Sequence, residues 1–113
     1  MVMSRATAIP ILIAAALLEA GGDAIVRGAL HRQSVGARVA LFALGAGVLF
    51  AYGVVVNSPP WDFGKLLGLY VVFFFITAQM ISWIAFGQPP SRAVLLGGLL
   101  IIAGGFVIEW DQG

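Results

Sequence analysis

Residues 7–29 read TAIPILIAAALLEAGGDAIVRGA, and this stretch decides the fold. Its first half is apolar without interruption, and a spanning helix needs about 20 mainly apolar residues. Then come Glu19, Asp23 and Arg27 at i, i+4 and i+8. On a helix they form one line of charge about two turns long. A charged side chain at bilayer depth costs about 2.5–3.5 kcal/mol by insertion measurements, so the line must face other helices or a wet cavity.

Three more stretches fit the same description. The expected spans are about 7–29, 38–57, 64–86 and 92–109. Together they make residues 1–113 a single four-helix transmembrane domain. The connections between them carry the breakers: His31–Gly36, then Asn57-Ser58-Pro59-Pro60, then Gly87-Gln88-Pro89-Pro90. Proline has no amide hydrogen and disfavours helical geometry in the residue before it. Ser91 is placed to cap the fourth helix.

Composition agrees. Hydrophobic residues make up 61% of the chain and charged residues 10%, against about 45–50% and about 25% in soluble domains. A soluble bundle would carry a polar face every three or four residues, yet Val71–Ile76 and Val94–Ile108 are apolar all round. Arg5 followed by Ala6–Leu18 imitates a signal peptide, but three further spans follow, so the first helix is expected to stay. A net charge of +1 offers no basic arm for nucleic acid, and the chain has no cysteine and one histidine. No metal site, cofactor or nucleic-acid partner is therefore expected, and the lipid bilayer is the first partner. Enzyme activity is not expected either, because the spans hold no nucleophile–base pair.

Charge also bears on sidedness. Arg27, Arg32, Arg38 and Arg92 flank the first and third loops, with Arg5 and Lys65 on the other side. Four against two places loops one and three in the cytoplasm. So thin a margin also permits insertion both ways. Trp61, Trp83 and Trp110 fall near span ends, as an interfacial belt does.

Within the first helix, Asp23 precedes Arg27 by four residues, the favourable order for an ion pair. Glu19 is left without a near base. Low dielectric disfavours the charged form of such an acid, so Glu19 can exchange protons near neutral pH. Tyr70, in the third span, can offer a ring to a cation and a hydroxyl to a carboxylate. It shares a face with Thr77 at i, i+7, and Tyr52 suits either the belt or a pocket. Small residues at Ala16, Ala20, Ala24 and Gly28 allow close helix packing, as do Ala43, Gly47 and Ala51 in the second helix. In the fourth, Gly97-Gly98 and Gly104-Gly105 lie seven apart. One such face can pack within the bundle and another can join two chains.

These residues resemble a family. Glu19-Ala20-Gly21-Gly22 with Arg27 is similar to the first helix of small multidrug resistance (SMR) transporters, which carry a membrane-buried Glu, a Gly three later and a Lys or Arg eight later. The likeness is greatest to the YnfA-type branch, through Ala16-Leu17-Leu18-Glu19, Leu49-Phe50-Ala51-Tyr52, Gly64-Lys65 to Tyr70, and the Gly97–Gly104 spacing. The resemblance implies an all-α integral membrane protein that works as an SMR-like homodimer, often antiparallel, in the inner (plasma) membrane. It implies proton-coupled efflux of small organic cations, with Glu19 binding protons and substrate in competition and Tyr70 as a pocket aromatic. Asp23 and Arg27 would tune Glu19 or gate it. The chain departs from the family pattern at Leu67, where the first pocket aromatic is expected. It departs again at Val71, Val72 and Phe73, which replace the loosening glycines, and at Asp23, a second acid. Two other classes stay open: a non-transporting accessory or scaffold subunit, and a protein that flips lipid-linked substrates.

Overall fold

The computed structural model describes residues 3–110. Four helices follow one another: α1 (Arg5–Leu30), α2 (Val35–Val56), α3 (Phe63–Phe86) and α4 (Arg92–Trp110). All four are long and apolar enough to cross a membrane, which indicates a multi-pass membrane protein.

Helix ends follow the capping chemistry closely. Ser4 Oγ accepts from the Thr7 amide at 3.3 Å and starts α1 two residues before the expected span. Ser34 does the same for α2, accepting from Ala37 at 3.3 Å, so α2 begins three residues early. Ser91 caps α4 as expected, accepting from Val94 at 3.2 Å. Gly87 ends α3 with φ 64°, the only positive φ among the described residues, a conformation glycine adopts without penalty. Just beyond, the Gln88 amide donates to the Ser82 carbonyl at 3.0 Å.

The spatial order differs from the chain order. Helix α1 lies between α2 and α3, and α4 packs mainly against α3. The Arg5 and Glu109 side chains form an ion pair, and Trp61 Nε1 donates to the Met3 carbonyl at 3.4 Å. The start of α1, the α2–α3 loop and the end of α4 therefore share one end of the bundle. The α1–α2 and α3–α4 loops share the other.

Glycines set the helix approaches, but not all the expected ones. In α2 it is Gly45, not Gly47, that meets α1: a Cβ there would lie 2.8 Å from Val26 and 3.4 Å from the Gly22 carbonyl oxygen. Gly47 faces open space and Ala43 is exposed. The expected α2 stripe was displaced because α1 presents its bulky Val26 and Ile25, which need the gap at Gly45. In α4, Gly98 and Gly105 receive Phe75 and Val72 of α3, while Gly97 and Gly104 have nothing near them. One glycine face packs within the chain and the other is unpartnered, as the two pairs allow.

The tightly packed core sits toward the end that holds the termini. Leu12, Ala15 and Ala16 of α1 meet Val56 of α2 and Leu66, Leu69 and Tyr70 of α3. No charged side chain is buried among the described residues. Large apolar side chains instead face outward, with Phe50 76%, Ile84 80% and Leu100 76% exposed. A monomer in water rarely exposes so much contiguous apolar surface, whereas lipid suits it. Toward the opposite end α1 and α2 stay in contact through Gly22 and Gly45, while a groove lies between α1 and α3.

Overpacking the α1–α2 contact tests this register. Gly45→Leu should cost about 1–3 kcal/mol, read by reversible unfolding in mixed micelles. Gly47→Leu should stay within about 0.5 kcal/mol of the parent; equal losses would refute the assignment.

Candidate functional site

Glu19 lies mid-way along α1, where the packed core gives out. It is half-buried. The Tyr70 hydroxyl crosses from α3 and donates to Glu19 Oε1 at 2.9 Å. Tyr52 approaches the same carboxylate from α2. The two tyrosine rings lie 5.8 Å apart at 33°, and Phe74 continues the row at 6.2 Å from Tyr70. Three helices thus contribute to one carboxylate: the acid from α1, an aromatic from α2 and a donor from α3. No basic side chain reaches ion-pair distance of Glu19 among the described residues.

Two positions in the chain explain why Tyr70 can reach. Ala15, Ala16 and Ala20 are buried and small, so α3 comes close to α1 at this level. Val56 and Leu66 fill the space beneath the ring. Tyr70 is 4% exposed, so its hydroxyl needs a polar partner, and Glu19 supplies it.

Beyond Glu19 the charged line runs along a groove. Asp23 and Arg27 of α1 line it with Ala20, Ala24, Phe74, Ala78, Ser82 and Phe86, around a volume of about 250 Å³. The small-residue stripe of α1 thereby changes role: Ala16 and Ala20 pack, while Ala24 becomes groove wall. The groove reaches Gln88 in the α3–α4 loop. Asp23 and Arg27 are both exposed. They do not form the expected ion pair. Arg27 instead turns its guanidinium over the Phe86 ring, 5.3 Å from the centroid, where a cation is attracted by the ring face. Its carbonyl oxygen is bonded to His31 Nδ1 at 2.8 Å.

Tyr70 and Thr77 lie on one continuous helix, α3. Thr77 lines a different, apolar groove of about 500 Å³ with Ile13, Leu17 and Met80. The α3 residues that do face the charged line are Tyr70, Phe74, Ala78, Ser82 and Phe86. They recur every four residues, as Glu19, Asp23 and Arg27 do on α1. Matching that four-residue step between the two helices is the signal that would have singled out Phe74 and Phe86. Tyr52 stacks beside Tyr70, with ring centroids 5.8 Å apart. Leu67 packs against the core.

The chain matches no family model, no curated protein and no solved structure.

The Tyr70 bond is testable on its own. Tyr70→Phe should lower unfolding stability in mixed micelles by about 0.6–2 kcal/mol, the range for a membrane hydrogen bond and one to a charged acceptor. Tyr52→Phe should cost less. If Tyr70→Phe is neutral while Tyr52→Phe is not, the donor has been misassigned.

Proposed function

We propose that this protein is a small, proton-coupled exporter of small organic cations, similar in kind to the SMR transporters. It works as a homodimer in the inner (plasma) membrane, and its thin charge bias permits an antiparallel arrangement. The observation that supports this reading most is the state of Glu19: an acid in mid-span, held by a tyrosine hydroxyl, with no resident counter-ion. A structural carboxylate at that depth would be expected to carry a permanent base. One held only by a neutral donor keeps its negative charge available to a mobile cation.

The cycle follows from competition for one carboxylate. Deprotonated Glu19 draws a cation in. The Tyr70 and Tyr52 rings and their apolar neighbours cover the cation's organic part. The dimer rocks, a proton arrives from the other side, and the neutral acid no longer holds the cation. Each proton bound excludes a cation, so the two fluxes are coupled without any further device. Asp23 and Arg27 tune Glu19 or gate access to it. The unpartnered Gly97 and Gly104 of α4 suit close contact with a second copy.

The liposome experiment is direct. With a proton gradient imposed, vesicles bearing the native chain should release preloaded tetramethylammonium. Glu19→Gln should abolish the gradient-dependent part, a loss of at least about tenfold for a group that carries the coupled charge. Equal release by both forms refutes carboxylate exchange. No transport by either, with a larger membrane protein co-purifying, would favour the scaffold reading. Tags on both ends found on a single side of the membrane would remove the antiparallel dimer.

A further inference from the structure

The groove beyond Glu19 already holds a cation, and that cation belongs to the protein. Arg27 leaves its sequence neighbour Asp23, one turn away, and places its guanidinium on the Phe86 ring of α3. Asp23 is left exposed and without an ion pair among the described residues. One wall of the groove therefore offers a carboxylate and the other an aromatic face. Ala24 and Ala78 keep the space between them open, and Ser82, whose hydroxyl donates to the Gln88 carbonyl at 3.1 Å, also lines it.

We propose that this groove is a second, outer binding site for a small organic cation, with Asp23 and Phe86 as its two binding groups and Arg27 as a displaceable resident. The proposal rests on reading Glu19 as the inner, exchanging site. The chemistry selects the ligand class. An aromatic face rewards a cation whose charge is spread over an organic group and which sheds its water easily. A hard inorganic ion wants six or more oxygen ligands, and one carboxylate with one hydroxyl does not supply them. The volume of about 250 Å³ falls just under the range that holds drug-sized ligands, about 300–1,000 Å³, so the cation is small.

Arg27 gives the site its logic. While the arginine sits on Phe86, the ring face is occupied and Asp23 has no ion-pair partner among the described residues. An incoming cation takes the ring and the carboxylate, and the arginine swings out toward the loops, where it is hydrated. Entry becomes an exchange of one cation for another. The outer site then holds the ligand one helical turn from Glu19, about 6 Å along the axis.

Equilibrium dialysis of benzyltrimethylammonium against the full chain in lipid nanodiscs tests this, with Glu19→Gln in every sample and no gradient. That background should still bind the ligand. Adding Asp23→Asn should weaken binding at least about tenfold, and Phe86→Leu about threefold to tenfold, as loss of a charge partner and of a ring face would. Adding Arg27→Gln should tighten it severalfold. Both Asp23 and Phe86 are exposed, so these changes leave the packed core intact. Absence of binding in the Glu19→Gln background overturns the proposal, as does binding indifferent to both Asp23→Asn and Phe86→Leu. Weaker binding with Arg27→Gln overturns the displaceable role of the arginine. Because Glu19 is neutralised and no gradient is present, none of these results depends on whether proton exchange drives transport.

Discussion

The bond from the Tyr70 hydroxyl to Glu19 is the constraint on which the rest of the arrangement depends. A carboxylate in the middle of a spanning helix cannot face lipid without a cost of about 2.5–3.5 kcal/mol. It must find polar company inside the protein, and a neutral donor is the company it has here. To bring that donor within 2.9 Å, α3 has to lie close against α1. Close approach requires the small side chains at Ala15, Ala16 and Ala20, all buried. The same approach fixes the core beneath it, where Leu12, Val56, Leu66 and Leu69 close the end that carries the termini. One hydrogen bond and one patch of alanine therefore set both the site and the packed half of the bundle.

The other half follows by contrast. Past Glu19 the charged line continues, and apolar packing between α1 and α3 cannot. Asp23 and Arg27 hold the two helices apart at a groove instead. The result is a packed core on one side of Glu19 and a groove between α1 and α3 on the other. The peripheral placement of α4, packed on α3 through Gly98 and Gly105 with Gly97 and Gly104 turned away, leaves a close-packing surface without disturbing the groove.

Much of this was legible in the residues. The four spans follow from long apolar runs and the breakers between them; the largest shifts are at the starts of α1 and α2, because Ser4 and Ser34 cap earlier than hydropathy alone indicates, and the other bounds lie within one residue. Glu19 and Tyr70 stand out because each is a polar group that lipid would reject. What could not be read was which face of each helix meets which neighbour. Gly45 and Gly47 are equivalent in one sequence, and only the bulk of Val26 on the facing helix separates them. The Asp23–Arg27 pair was expected from spacing within α1. The competing ring of Phe86 comes from α3, so no local pattern contains it. Thr77, aligned with Tyr70 along α3, lines the neighbouring apolar groove.

The central claim is that a cation and a proton take turns on Glu19. It is tested most directly by following pH with an indicator dye while a small organic cation is added to the chain in weakly buffered nanodiscs. The account predicts that protons are released as the cation binds, and that Glu19→Gln removes this release. Cation binding to the native chain with no release of protons would contradict it.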